Sequence, residues 1–352
     1  MNSEEIAKIV GVSRSTVSRV INNYPNVPEK TREKVLKAIK EYNYEPNNSA
    51  RVLAGKQTNT IGLFIVSICD NKNPRRIYQN NYFAPFVDAV IDEANTKDYY
   101  VLSHTIYKEE DYDKIQRTFS QKRIDGAIII GTEDNTFLAA RLDKCSYPIV
   151  LIDYDLNVIG EANKDHNNIS VINSSDYEGT RSALNYLISL GHKDIGIIAG
   201  RTNTFSGRMR LKAFNDIMKS SMLGVKNEFV INGEFIKAKT YEEVKKLLKR
   251  GELPTAFFSC NDDMALAAME AFQEEGIRVP EDISIIGFDD VPIVSQIRPA
   301  LTTIRVPVYD MAAVSVNTII ESIENKTLDE SKPYFMPTEL CLRDTTTIPR
   351  KK

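Results

Sequence analysis

Residues 3–22 read SEEIAKIVGVSRSTVSRVIN. Ser3 is placed to cap a helix through Val10, with Ile6, Ala7, Ile9 and Val10 apolar, since a serine oxygen can accept from the unpaired amides of a first helical turn. Gly11 suits the left-handed conformation that ends a helix. Ser13 can cap a second helix, in which Val17, Val20 and Ile21 recur along one face. A small residue in the first helix, a glycine at the turn and apolar positions that lock the two together have the spacing of a helix–turn–helix. On this stretch alone the alternative is a generic helical hairpin. Asn22 to Asn26 forms a turn. Pro28-Glu29 opens a third helix with Val35, Leu36, Ile39 and Tyr42 on one face, and Pro46 forbids its continuation.

Charge sets this head apart from the rest of the chain. Residues 1–57 hold ten Lys/Arg against six Asp/Glu, while the remainder holds 35 against 42. A basic head on an acidic body suggests a polyanion partner for the head, although a basic helix face is often only solvated. At 352 residues the chain is too long for one compact core. With 42% hydrophobic and 26% charged residues it is too apolar to be mainly disordered. No apolar run approaches the roughly 20 residues needed to cross a bilayer, and polar Met1–Ile9 does not read as a signal peptide. The four cysteines stand singly and there are three histidines, so a zinc site, a disulfide framework or histidine catalysis is not expected, and a reducing cytoplasm fits. No cofactor or metal is implied.

From Thr60 short apolar runs alternate with amphipathic stretches. The runs are Ile61–Ile68, Tyr100–Ser103, Ala127–Ile130, Ile149–Ile152, Ile169–Ile172, Ile195–Ala199, Ala256–Ser259 and Ile283–Ile286. The helical stretches include Phe83–Asn95, Tyr177–Leu190, Arg208–Met218, Tyr241–Lys249, Met264–Glu275 and Asp310–Ile323. This alternation predicts an α/β body of parallel sheets flanked by helices. Its length predicts two lobes, with ligand-facing loops at the strand carboxyl ends.

Several signatures occur in order along the whole chain. They are Val17-Ser18-Arg19-Val20-Ile21-Asn22, Val27-Pro28-Glu29-Lys30-Thr31-Arg32, Tyr44-x-Pro46-Asn47 and Ala50-Arg51-x-Leu53-Ala54-Gly55 in the first part. The body adds Ser189-Leu190-Gly191-His192, Asn261-Asp262-x-Met264-Ala265, Val279-Pro280-Glu281-Asp282-Ile283-Ser284 running on to Gly287-Phe288-Asp289-Asp290, and Arg298-Pro299-x-Leu301-Thr302-Thr303-Ile304. Together they resemble the lactose-repressor (LacI/GalR) family of bacterial transcription regulators. Two features depart from it: a start two or three residues shorter than usual, and a longer segment, Cys69 to Asn81, after the first strand of the body.

The resemblance implies a helix–turn–helix head at 1–46 and a hinge helix with its linker at 47–58. It implies an N-terminal lobe from 59–157 with about 290–324, and a C-terminal lobe from 158–289 with about 325–352, in the manner of a two-lobed periplasmic sugar-binding protein. The helix Ser13–Asn22 would enter the major groove. Arg14, Ser15 and Arg19 match base-reading positions, with a phosphate contact as the alternative for Arg14. Ser13, Thr16 and Ser18 suit phosphates or capping. Arg51 and Leu53 match the hinge helix, which in the family folds on operator DNA and wedges a leucine into the minor groove; the alternative for Leu53 is a linker leucine that packs on the body.

In the cleft between the lobes, the effector positions matched are Tyr82, Phe83, Asp153, Tyr154, Arg210, Phe235 and Asp262. Plain packing is the alternative for Tyr154 and Phe235, and helix capping for Asp262. Aromatic faces beside charged hydrogen-bonding groups suit a sugar, and Arg201 and Arg208 keep a sugar phosphate open. The expectation is a cytoplasmic repressor, not an enzyme, whose affinity for a near-palindromic operator is set by that effector. No leucine heptad follows the apolar strand at about Tyr334 to Leu342, which predicts a homodimer rather than a tetramer. A periplasmic-type receptor is disfavoured by the head. An α/β enzyme is disfavoured because no Walker loop, GxSxG elbow or GxGxxG fingerprint occurs.

Overall fold

The computed structural model describes residues 1–45, 57–67, 81–131, 138, 142, 146–155, 157, 168–325 and 333–350. Arg51 and Leu53, and most of the segment Cys69 to Asn81, lie outside the described residues. The chain forms two units, Met1–Asn59 and Thr60–Lys352.

The first unit holds α1 (Ser3–Val10), α2 (Arg14–Ile21) and α3 (Glu29–Glu41). Ile6, Ala7, Val17, Val20, Val27, Val35, Ala38 and Tyr44 close a small core between them. Gly11 ends α1 in the left-handed conformation at φ +73°, and Ser13 caps α2 by accepting from the Thr16 amide, both as the sequence suggests. Two details differ. Asn2, not Ser3, caps α1, because its side chain accepts from Glu4 and Glu5 while Glu5 reaches back to the Asn2 amide in a capping box. Leu36 and Tyr42 are exposed; the core face of α3 keeps the expected Val35 and adds Ala38.

The second unit contains two six-stranded sheets among the described residues. One runs β11-β5-β4-β3-β1-β2 and the other β12-β10-β9-β8-β6-β7. In the first, β1 (Thr60–Val66) pairs in parallel with β2 (Tyr100–Ile106) and β3 (Gly126–Ile130), followed by β4 (Ile149–Ile152), β5 (Ile169–Ser174) and β11 (Tyr334–Met336). Side chains alternate between two buried faces. Ile61, Leu63 and Ile65 share a core with α4 (Phe83–Thr96) and α10 (Val308–Asn325), whereas Phe64 and Val66 share one with Ile115 and Phe119 of α5 (Asp113–Ser120). The second sheet joins β6 (Ile195–Ala199), β7 (Val230–Asn232), β8 (Ala256–Ser259), β9 (Ser284–Asp289), β10 (Thr302–Arg305) and antiparallel β12 (Glu339–Cys341). Its helices pack as two pairs, α6 (Asp176–Ser189) with α7 (Phe205–Ser220) and α8 (Lys237–Leu248) with α9 (Asp262–Glu274).

The expected lobe boundaries need correction. Ile169–Ser174 belongs to the first sheet, because it pairs with β4 from Ile149↔Ile169 onward. Thr302–Arg305 belongs to the second, because it pairs with β9. The stretch Tyr334 to Leu342, read as one strand, is two strands in different sheets, separated by Pro337 and Thr338. The chain therefore passes between sheets three times: after Ser174, after Arg305 and after Met336. Two of the crossings are tied together, since the Ser175 amide donates to Met336 O at 2.8 Å and Thr338 Oγ1 donates to Ser175 O at 3.3 Å.

Candidate functional site

In the head, Val17 and Val20 turn α2 inward, which leaves Arg14, Ser15, Ser18 and Arg19 exposed. Ser13 Oγ accepts from the Thr16 amide at 3.1 Å and lies 2.7 Å from Ser15 Oγ, so this hydroxyl is committed to the cap. Thr16 is half-buried, with its hydroxyl 2.9 Å from Ser13 Oγ. Arg14 folds back on α1: its Nε donates to Ser3 Oγ at 3.1 Å and its Nη1 lies 3.8 Å from Glu4. Arg19 makes no side-chain hydrogen bond or ion pair among the described residues. Asn22 donates to Ser18 Oγ at 3.3 Å, while its own Oδ1 is buried without a partner among the described residues. The face thus offers a solvated guanidinium and a row of small hydroxyls, donors suited to base edges and phosphates.

In the body, the strand carboxyl ends of the two sheets enclose a cavity of about 140 Å³. Tyr82, Phe83, Asp153, Arg210 and Phe235, all expected at the site, line it. Asp153 follows β4 in the left-handed conformation, φ +59°. Its two carboxylate oxygens accept from the Ser206 amide and hydroxyl, each at 2.8 Å, bridging the two lobes. Burial and the nearby charge of Asp176 push its pKa up to about 7, against the pull of the Ser206 bonds and Arg210. A second bridge runs from Arg208 to Asp155 at 3.1 Å, and a third from Asn81 Nδ2 to Asp263 Oδ1 at 2.8 Å.

Arg210 projects from α7 into the floor, 4% exposed. Its Nε donates to Asp176 at 2.7 Å, and its Nη1 donates to Cys260 O and, at 3.3 Å, to Asp289. The guanidinium carbon sits 3.7 Å from the Phe288 ring centroid. Burial pushes Asp289 up to about 7, with Arg210 opposing and Asp263 and Asp176 adding to the rise. Burial also raises the Tyr82 hydroxyl, reinforced by Asp153 and Asp289. Phe235, at φ +58°, lays its ring over Gly200, where any side chain would collide with it.

Two expected effector residues are elsewhere. Tyr154 is fully buried in the core beneath the first sheet, with its backbone pinned by Asn173 in both directions at 3.0 and 2.9 Å. Asp262 is 0% exposed and does not line the cavity. Its Oδ1 accepts from Thr303 Oγ1 at 2.6 Å and its Oδ2 from the Val291 amide at 2.9 Å. Successive helical side chains project about 100° apart, so at the start of α9 only one of two adjacent aspartates can face the cleft. That residue is Asp263, which lines the cavity with Asn261, Asp289, Arg201 and Ser206. Asn261 and Asp289 stood inside recognisable signatures, but nothing in the sequence separated Asp263 from its neighbour.

The comparisons with known proteins agree in architecture. Residues 4–47 match the model of bacterial regulatory proteins of the lacI family, and residues 184–346 match a periplasmic binding protein-like domain. The probable HTH-type transcriptional repressor ExuR of Bacillus subtilis (strain 168) is 32% identical, over 97% of both chains. The HTH-type transcriptional repressor PurR of Haemophilus influenzae (strain PittEE) is 35% identical, over 92% of this chain and 91% of that one. Among solved structures, the lac repressor dimer bound to operator and the anti-inducer ONPF superposes with TM-score 0.83 at 28% identity, covering 99% of each chain. The transcriptional regulator CelR in complex with cellobiose gives TM-score 0.72 at 26% identity, covering 98% of this chain and 99% of that one. On the strength of the relatives that match it almost from end to end, the chain belongs to the LacI family of bacterial regulatory proteins.

Proposed function

We propose that this protein is a transcriptional repressor that binds a near-palindromic operator as a homodimer and changes its grip when a sugar occupies the cleft of the body. It acts on DNA as a regulator and is not an enzyme. The observation that carries the DNA-binding reading is the outward face of α2, where Arg19 stands solvated beside small hydroxyls over a helix packed by Val17 and Val20. A guanidinium so placed can take guanine O6 and N7 in bidentate fashion. Dimeric binding follows the lac repressor dimer on its operator, a solved structure that this chain resembles over 99% of its length. For the effector, the support is a cavity that sets aromatic Tyr82, Phe83 and Phe235 beside Asp153, Asp263 and Asp289, a mix suited to C–H faces and hydroxyls, together with the likeness to a cellobiose complex.

The test is selection of DNA from a randomised library by the full chain, followed by titration of the selected duplex at rising salt. The expected result is a near-palindromic consensus whose affinity falls steeply as salt rises, as counterion release requires. Recovery of unrelated sequences with no common half-site would overturn the reading.

A further inference from the structure

Two aspartates stand side by side at the start of α9, and their surroundings divide their roles. Asp262 is fully enclosed, with one oxygen on Thr303 and the other on the Val291 amide, so it ties α9 to β10 and to the loop after β9. Asp263 lines the cavity. Its Oδ1 accepts from Asn81, which leads into α4 on the other lobe, and its Oδ2 has no hydrogen-bond partner among the described residues. It faces Asp289 closely enough for its charge to raise that residue's pKa. Arg210, in the floor, is already shared between Asp176 and Asp289. With Asp263 and Asp289 both in the lining, this corner of the cleft is rich in acceptors.

We infer that, of the two aspartates that begin α9, Asp263 and not Asp262 accepts effector hydroxyls, and that Asn81 competes with the effector for it. The inference rests on the reading of the cleft as a sugar site. An incoming hydroxyl pair exchanges the Asn81 bond for its own, so Asn81 sets the threshold concentration and Asp263 the preference for a neutral, donor-rich ligand end.

The experiment is calorimetric titration of the full chain with D-glucose, D-galactose, D-xylose and cellobiose, alongside unliganded melting curves. For a sugar that binds wild type, Asp263→Asn is expected to weaken binding about ten- to a hundredfold with the unliganded melting temperature unchanged. Asn81→Ala is expected to tighten it about two- to tenfold, because a competing hydrogen bond is lost. Asp262→Asn is expected to lower the unliganded melting temperature instead. A sugar that binds wild type and Asp263→Asn equally well overturns this inference alone. If none of the four sugars binds wild type, the sugar reading of the cleft falls, and the inference falls with it.

Discussion

Arginines do opposite work in the two regions of the molecule. In the head, Arg19 is exposed and makes no side-chain bond among the described residues, and Arg14 has an exposed ion pair to Glu4 and a bond to Ser3. In the body, Arg210 is buried, bonded to two carboxylates and a carbonyl, and stacked over Phe288. A DNA-reading guanidinium has to remain solvated until base edges and phosphates replace its water. A guanidinium in a cleft floor has to be ordered beforehand, and the buried carboxylates around it depend on its charge. Substitutions of the buried charged groups of the body should therefore register first as stability, and substitutions on the exposed face of α2 as recognition.

The largest expected effect is at the floor. Arg210→Met leaves Asp176 and Asp289 buried without their cation, and removing one partner of such a pair costs about 3–5 kcal/mol. Denaturant unfolding of the body should show the loss. An unchanged midpoint would mean that Arg210 is a ligand arm like Arg19, and the contrast would fail.

A pH effect of similar origin should appear in the same region. Asp153 and Asp289 are raised from 3.8 to about 7. At these two groups the folded body binds more protons than the unfolded chain does between those values, so their contribution to stability falls as pH rises from about 4 through about 7. Replacing Asp153 with Asn should flatten that fall, as read from melting temperature against pH. A slope identical to wild type would remove Asp153 as a contributor.

Asp262→Ala should cost about 1–3 kcal/mol of body stability, since the buried Val291 amide and the Thr303 hydroxyl both lose their acceptor. The head should differ in kind. Arg19→Ala is expected to leave the melting curve unchanged and to lose about 1–3 kcal/mol of discrimination at one base pair of each half-site. Arg14→Ala should weaken all sequences evenly and by less. Equal loss of specificity in both variants would contradict the assignment of base reading to Arg19.

Legibility in the sequence followed the range of the interactions. The head could be read closely because its determinants are local: Ser13 caps three residues on, and Val17 and Val20 lie one turn apart. The Asn2–Glu5 capping box was equally local, and reading Ser3 as the cap passed over it. Strand positions such as Ile195–Ala199 and Ile149–Ile152 were legible from apolar runs. Which sheet each strand joins was not. Ile169–Ile172 looks the same whether it pairs with Ile149 or with Ala256, and register across such separations is decided by packing. Short β7 and the split of Tyr334 to Leu342 were hidden for the same reason. At the site, residue types were legible for Tyr82, Phe83, Asp153, Arg210 and Phe235. The choice between Asp262 and Asp263 depended on helix phase and on distant Thr303, so no local pattern carried it.

The claim that joins the two regions is that occupancy of the body's cleft changes the head's grip on DNA. It is tested by titrating the selected palindromic duplex with the full chain, with and without a saturating sugar that binds wild type. Coupling between two such sites is ordinarily about 5–150-fold in affinity. A shift of operator affinity in that range, requiring about ten- to a hundredfold more sugar in Asp263→Asn, is the predicted result. An operator affinity identical in the two titrations of wild type would contradict it.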